Sequence, residues 1–152
     1  MNTVRMNLAQ LNIARLRFAL DGPELKDFVD GLPEINALGD SSPGFIWRLI
    51  DEGGADATAL RPFEDRDDIL INMSVWESLE SLRDFIYHTK HLEYMRRRRE
   101  WFDHCGLEAY VVLWWVPEGH IPTVAEGKER LEHLMKHGPT PGAFTMRNPY
   151  PA

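Results

Sequence analysis

The sequence has a single cysteine, Cys105, and no long apolar run. One cysteine excludes an internal disulfide framework and any metal site built from several thiolates. No segment approaches the roughly 18–20 apolar residues that cross a membrane, so no membrane partner is expected. Residues 1–6 lack the apolar centre of a signal peptide, and a cytoplasmic location is therefore expected.

Basic residues are also scarce, with 17 Lys and Arg against 24 Asp and Glu and a net charge of −7. Proteins that bind nucleic acid neutralise its phosphates with clustered Lys and Arg, so no nucleic-acid partner is expected. The apolar fraction of 43% and the charged fraction of 27% are those of an ordinary globular protein. What the chain has in abundance is tryptophan, with five residues against four tyrosines.

The hydrophobic periodicity predicts alternating strands and helices. The helix after the first strand begins at Asp21, and Gly31 and Pro33 are expected to interrupt it. Thr89 is expected to cap a second segment within the next helical region. The predicted order is strand 7–15, helix 21–38, strand 45–50, loop 51–67, strand 69–76, helical region 77–104 and strand 109–115.

This order is the split β-α-β-β-α-β pattern, which predicts an α+β, ferredoxin-like antiparallel sheet over residues 7–116. Residues 117–152 are expected to form a helix and a tail packed on the same domain. The capping box at 122–126 opens that helix, and the tail has one short extended segment at 143–146.

The alternation along the strands assigns residues to two faces of the sheet. Ile69, Ile71, Met73 and Val75 are expected to face the two helices of the split pattern. The opposite face would combine aromatic rings, amides and a hydroxyl, and we predict that it binds substrate. The predicted substrate-binding residues are Asn12, Trp47, Arg48, Asn72, Ser74, Trp76 and Trp114, with Trp115 as the alternative to Trp114.

Such a face is too apolar to lie open to water. It packs on a second copy of the chain, lines a ligand pocket, or does both if two sheets close around a cavity. The alternative is an interface without any cavity. A homodimer and a small-molecule ligand are the expected partners.

The histidines offer one candidate for proton transfer. His88 lies where the helical stripe breaks, near the end of the third strand, and is the predicted general base. The alternative is that His88 and His91 are surface histidines. No metal site is predicted, because no acidic or thiolate partner stands at a diagnostic spacing.

Other polar residues have simpler interpretations. Arg48 reaches solvent or pairs with an acid or a ligand, and residues 96–99 form ion pairs with acids such as Glu93 and Glu100. Cys105 is interpreted as a small buried residue. His120 is interpreted as a structural hydrogen-bonding residue.

Several segments together resemble a family of short bacterial proteins classed as a domain of unknown function. They are Ser42–Arg48, Ser74–Leu82, Met95–Phe102, Leu113–Pro117, Gly119–Thr123 and Gly138–Thr140. The topology resembles the dimeric α/β-barrel superfamily, which includes antibiotic-biosynthesis monooxygenases and haem-degrading monooxygenases.

The resemblance implies a dimeric α/β barrel and a pocket enzyme like the cofactor-independent monooxygenases, acting on a small aromatic or polyketide-like molecule. In the haem-degrading members an Asn on the first strand matches Asn12, but the haem-ligating His falls near residues 95–97, where this chain has none. No cofactor is therefore expected, and haem is not favoured. The alternative is a non-catalytic barrel that binds a small ligand or haem.

Overall fold

A computed structural model describes residues 5–50, 68–103 and 111–152. The predicted loop 51–67 lies outside the described residues, as do His104 and Cys105. The elements, in chain order, are β1 (Met6–Leu16), a 3-10 turn (Pro23–Leu25), α1 (Lys26–Ser41), β2 (Phe45–Arg48), β3 (Ile69–Trp76), α2 (Leu79–His88), α3 (His91–Arg96), α4 (Arg98–Trp101), β4 (Phe102–Asp103), β5 (Val111–Pro117) and α5 (Val124–His137).

The strands form one antiparallel sheet in the order β2-β3-β1-β5, which is the ferredoxin-like arrangement. β1 lies at the centre and pairs with β3 on one side. Along its other edge, residues 6–12 of β1 pair with β5, and residues 15–16 pair with the two-residue strand β4. The predicted fold class is confirmed, while β4 is too short to leave a periodic signal in the sequence.

The helix of residues 26–41 does not break at Gly31 or Pro33, so that prediction was wrong. Pro33 removes one backbone hydrogen bond, yet contacts along the whole length of α1 hold the helix. Gly31 lies against the ring of Tyr94, and Gly39 lies against Phe85. Ion pairs join this helix to its neighbours: Asp27 with Arg97, Glu34 with Lys90, and Asp40 with Arg48.

The second helical region divides as expected at Thr89. Its hydroxyl donates to the carbonyl of Phe85, 2.6 Å away, and accepts from the backbone N–H of His91 at 3.2 Å. One side chain therefore ends α2 and begins α3. The predicted fourth strand is found as β5, whose described residues begin at Val111.

Both faces of the sheet are covered, and the predicted assignment of the faces was inverted. Ile71, Met73 and their neighbours pack against α5, through Leu131 and Leu134; we call this the α5 face. The opposite face, which we call the helix-side face, carries Trp76 and packs against α2. Alternation fixes which residues share a face, but it does not reveal that the C-terminal helix returns to cover the more aliphatic one.

The C-terminal tail completes the helix-side face. Phe144 is fully buried and forms a backbone bridge with Leu113, so the predicted extended segment is confirmed. The indole N–H of Trp115 donates to the carbonyl of Tyr150, 2.8 Å away. The tail is thus part of the packed structure at the edge of β5.

Candidate functional site

Polar side chains cluster at the centre of the helix-side face. The register of β1 and β3 places Gln10 opposite Ser74 and Asn12 opposite Asn72, so these side chains project from the same face. The Nε2 group of Gln10 donates to Oδ1 of Asn72 at 2.7 Å and to Oγ of Ser74 at 2.8 Å. Gln10, Asn72, Ser74 and Trp76 form what we call the Gln10 network.

Ser74 is the centre of this network. Its oxygen accepts a second hydrogen bond, from Nε1 of Trp76 at 2.8 Å. A serine hydroxyl has two acceptor lone pairs and one donor hydrogen, so both acceptor positions are used and the hydrogen is left to donate. Within the part of the chain that the structure describes, the hydroxyl of Ser74 donates to no other group. An oxygen atom of a ligand is a suitable acceptor for it.

Asn72 is the exposed member of the network. Ser74 and Gln10 are 7% and 8% exposed, whereas Asn72 is exposed. The carbonyl oxygen of Asn72 accepts from Gln10, so the amide N–H groups are the part of this side chain left to donate. Hydrogen-bond donors therefore extend from the interior of the face to its surface.

An ion pair lies beside the network. Arg48 is opposite Ser74 in the register of β2 and β3, and only 18% of its side chain is exposed. Its Nε–H donates to Oδ1 of Asp40 at 2.8 Å. Of the two predicted possibilities for Arg48, pairing with an acid is the one observed.

Aromatic rings border the network. Trp76 stacks on Phe85 with ring centroids 5.2 Å apart and an interplanar angle of 23°. Phe45 meets the same indole edge to face at 5.5 Å. Trp76 is 1% exposed, so its ring belongs to the packed layer between sheet and helix as well as to the network.

The structure brings together five of the seven predicted substrate-binding residues and separates the other two. Asn12, Arg48, Asn72, Ser74 and Trp76 share the helix-side face. Trp47 and Trp114 lie on the α5 face, where Trp114 is fully buried. A pocket lined by Trp47, Trp76 and Trp114 together was therefore a wrong expectation. Trp115, the alternative to Trp114, lies on the helix-side face.

His88 does not reach the packed layer. Its side chain is 70% exposed, and Nε2 lies 3.9 Å from Oδ1 of Asp84. His91 is more enclosed: its ring packs on Phe85 at 4.9 Å, and Nδ1 lies 3.3 Å from the carbonyl of Ile86. Burial lowers the pKa of His91, although the hydrogen bond to Ile86 partly opposes this shift.

Sequence reasoning placed Gln10 on the polar face without including it in the site. The signal was an amide between the apolar residues Ala9 and Leu11 on a central strand, a position that needs a hydrogen-bond partner. Asp40, the acid that pairs with Arg48, had no sequence signal, because only the packing of α1 beside β2 brings it there.

The remaining polar predictions have definite outcomes. His120 is a hydrogen-bonding residue, as expected, with Nε2 2.6 Å from Oε1 of Glu126. Arg97 pairs with Glu100, as expected, and also with Asp27. The guanidinium of Arg97 lies 4.9 Å from the centre of the Trp101 ring. None of these contacts involves the Gln10 network.

Two wider observations concern binding partners. In residues 5–50, 68–103 and 111–152, no three His, Cys, Asp or Glu side chains are close enough to hold a metal ion. No helix in these ranges is long and apolar enough to cross a membrane.

A family model described as "Domain of unknown function (DUF3291)" matches residues 7–152. No curated protein matches the chain.

Solved structures with similar folds include two of SnoaB, a cofactor-independent oxygenase from Streptomyces nogalater, one of them a mutant. They are 14% and 15% identical to this chain, cover 76% and 77% of it and 95% of SnoaB, and have TM-scores of 0.49 and 0.46. A protein of unknown function from Nitrosomonas europaea, NE2512, is 9% identical, with 80% of this chain and 97% of that one covered and a TM-score of 0.47. Likenesses at this level say nothing about activity.

Proposed function

Because this chain belongs to the DUF3291 family, which is described without a function, we propose its function from the site itself. The Gln10 network is the binding site of a pocket enzyme that resembles cofactor-independent monooxygenases. Its substrate is a small aromatic or polyketide-like molecule with an ionisable hydroxyl group. The class of reaction is taken from the resemblance of the predicted topology to the superfamily that includes the antibiotic-biosynthesis monooxygenases.

The donor hydrogen of Ser74 is the observation on which this proposal depends. Gln10 and Trp76 occupy both acceptor positions of the hydroxyl, so it is held in place as a donor before any ligand arrives. The amide of Asn72 offers a second donor on the accessible side. Both donors contact one substrate oxygen in this proposal, an arrangement that stabilises developing negative charge.

The chemistry needs that stabilisation. An aromatic enol or phenol that loses its proton becomes electron-rich enough to reduce dioxygen directly, without a cofactor. When the oxidised carbon is a methylene between two aromatic rings, it loses two hydrogens and gains one oxygen atom of O₂ as a carbonyl. The second oxygen atom leaves with the two hydrogens as water. Donors from Ser74 and Asn72 lower the pKa of the bound hydroxyl. Phe45, which is only partly buried, supplies an apolar wall for the rings.

The Gln10 network does not supply the proton acceptor. The network consists of amides, a hydroxyl and an indole, which do not take up protons near neutral pH. Stabilisation of the substrate oxyanion lets water accept the proton, so a resident base is not required. The predicted role of His88 as general base stays a prediction.

The test is turnover of a hydroxyanthrone as probe, followed as oxygen consumption and quinone absorbance. We expect Ser74→Ala and Asn72→Ala each to lower kcat/KM by about 10²-fold, the loss typical for removal of one oxyanion donor. Asn148→Ala, which removes an exposed amide in the tail, is the matched control and should retain the parental rate.

Parental turnover by both variants would contradict the proposal. So would the absence of any oxidation by the parent protein of this probe or of a set of related phenols, with binding retained. Circular dichroism and urea unfolding establish that the variants are folded.

A second candidate is a non-catalytic protein that binds the same ligands. It is favoured by the lack of a titratable group in the Gln10 network. Under this alternative, the probe quenches tryptophan fluorescence but is not oxidised, and Ser74→Ala weakens only binding. Addition of haem, with inspection for a shifted Soret band, distinguishes a haem-binding protein from both.

The homodimer stays a prediction. The sequence predicts it from a sheet face left uncovered, but α5 and α2 cover the two faces of the described sheet within one chain. A dimer would therefore use other surfaces.

A further inference from the structure

Two histidines lie on consecutive turns at the C-terminal end of α5. His133 and His137 are four residues apart, and their ring centroids are 4.6 Å apart with an interplanar angle of 48°. Residues at this spacing share one face of a helix. Both residues are exposed. We propose that His133 and His137 form a binding site for a divalent transition-metal ion such as Zn²⁺, Ni²⁺ or Cu²⁺.

The helix holds the two rings in place before any ion binds. Leu131 and Leu134 are buried and fasten this part of α5 to the sheet. The helix ends at Gly138, whose φ of +71° suits glycine and whose N–H donates to the carbonyl of Leu134 at 2.8 Å. The spacing of the two imidazoles is therefore a property of the folded chain, and little conformational entropy is lost when an ion binds.

The neighbouring tail contributes an outer partner. Oγ1 of Thr140 lies 3.0 Å from Nε2 of His133. Histidines that bind metals commonly use one ring nitrogen for the ion and the other for such a partner, which fixes the tautomer and the ring orientation. This contact leaves Nδ1 of His133 for the ion. Thr140 is itself held by two backbone hydrogen bonds with Ala143.

The donor set indicates the class of metal. Among the described residues, no third His, Cys, Asp or Glu completes a cluster here, so water supplies the remaining ligands. Ca²⁺ and Mg²⁺ require oxygen ligands and do not fit two imidazoles. Imidazole suits Zn²⁺, Ni²⁺ and Cu²⁺, and the usual order of stability makes Cu²⁺ the tightest of the three.

An ion at this position would secure the junction of α5 and the tail. Directly after Thr140 and Ala143, Phe144 bridges to Leu113 at the edge of β5. Because the unfolded chain does not hold the two rings together, the ion binds the folded state preferentially and stabilises it.

The experiment is isothermal titration calorimetry of the full chain with NiCl₂ and with ZnCl₂. We expect one ion per chain at this site, and an affinity lowered by about 10-fold or more in His133→Ala and in His137→Ala. His88→Ala removes an exposed imidazole elsewhere and should bind like the parent. At about 100 times the dissociation constant, the metal should raise Tm by about 5 °C or more in the parent and not in the double variant.

Electron paramagnetic resonance with Cu²⁺ supplies an independent readout. The parent spectrum should show coupling to two imidazole nitrogens, and His137→Ala should lose one of them. The proposal is overturned if the parent binds neither ion, or if both single variants keep the parental affinity. Alanine is the best helix former, so the variants are expected to stay folded.

Discussion

Trp76 belongs both to the packed core and to the Gln10 network. It donates to Ser74 within the Gln10 network, yet it is 1% exposed and stacks on Phe85 in the layer between sheet and α2. From the sequence alone, replacing it with alanine would be expected to test function without affecting the fold. The structure shows that the fold depends on it.

We therefore predict that Trp76→Ala lowers the free energy of unfolding by about 3–5 kcal/mol, the usual cost of truncating a buried aromatic side chain. Trp76→Phe keeps a ring against Phe85 but loses the hydrogen bond to Ser74 and part of the buried ring volume, so its cost should be smaller, about 1–3 kcal/mol. Urea denaturation measures both. An unfolding midpoint for Trp76→Ala equal to that of the parent would show that Trp76 is not part of the core.

Glu126 shows how one residue can depart from a local rule. Thr123 accepts from the backbone N–H of Glu126, which is one half of the predicted capping box. The carboxylate does not return to Thr123 to complete it. It accepts from Nε1 of Trp114 at 2.9 Å and lies 2.6 Å from Nε2 of His120. The side chain thus joins the start of α5 to β5, a contact between distant segments that a motif cannot reveal.

At the scale of elements, α1 tests how strongly tertiary contacts decide local structure. A Cβ atom added at Gly31 would overlap the ring of Tyr94, which packs at 6.0 Å on Trp101. At Gly39 in the same helix, the nearest atom to an added Cβ is 3.4 Å away, in the ring of Phe85, which is near ordinary contact.

We predict that Gly31→Ala destabilises the protein by about 1–3 kcal/mol through overpacking, despite the better helix propensity of alanine. Gly39→Ala is the matched control, because it makes the same change in the same helix with room for the methyl group. It should be neutral or stabilising by up to about 1 kcal/mol. If urea denaturation shows equal midpoints for the two variants, the close contact with Tyr94 does not constrain α1.

The elements themselves were largely predictable, because periodicity is a local property. β3, for example, was predicted over 69–76 and occupies the same residues. The face that each helix covers was not predictable, since it depends on how the chain returns after β5. A separate error placed Trp47 with Trp76, because the β2–β3 register shifts between Phe45 and Trp47 and so puts Trp47 on the α5 face. The register of β5 with β1 decides between Trp114 and Trp115. Among the predicted substrate-binding residues, strand parity assigned Asn12, Asn72, Ser74 and Trp76 to one face, and the charge of Arg48 within a strand singled it out. Asp40 required the packing of α1.

At the scale of the whole molecule, the two faces of the sheet are closed by elements from different parts of the chain. α5 comes from the C-terminal region, while α2 lies between β3 and β5. Each of the two packed layers contains one group whose pKa is lowered in the folded state. These groups are His91 beside α2 and Glu126 at the start of α5. The stability of the two layers should therefore respond to pH in separate ranges.

For His91, burial lowers the pKa below its usual 6.5, so the unfolded chain binds a proton more readily than the folded one. The stabilisation is complete above pH 6.5 and is lost as the pH falls through that value toward the lower pKa of the folded state. For Glu126, burial alone would raise the pKa, but hydrogen bonds from His120 and Trp114 outweigh it and lower the pKa below 4.5. Its contribution is therefore present above pH 4.5 and is lost at lower pH.

We predict that the urea midpoint falls between pH 7 and pH 5.5 in the parent, and that His91→Phe removes this fall because the phenyl ring fills a similar space and does not titrate. His88→Gln, at the exposed end of α2, should keep it. Glu126→Gln should leave this range unchanged and reduce the further loss below pH 4.5. If His91→Phe showed the same dependence as the parent above pH 5.5, the burial of His91 beside Phe85 would not be what makes the α2 layer sensitive to acid.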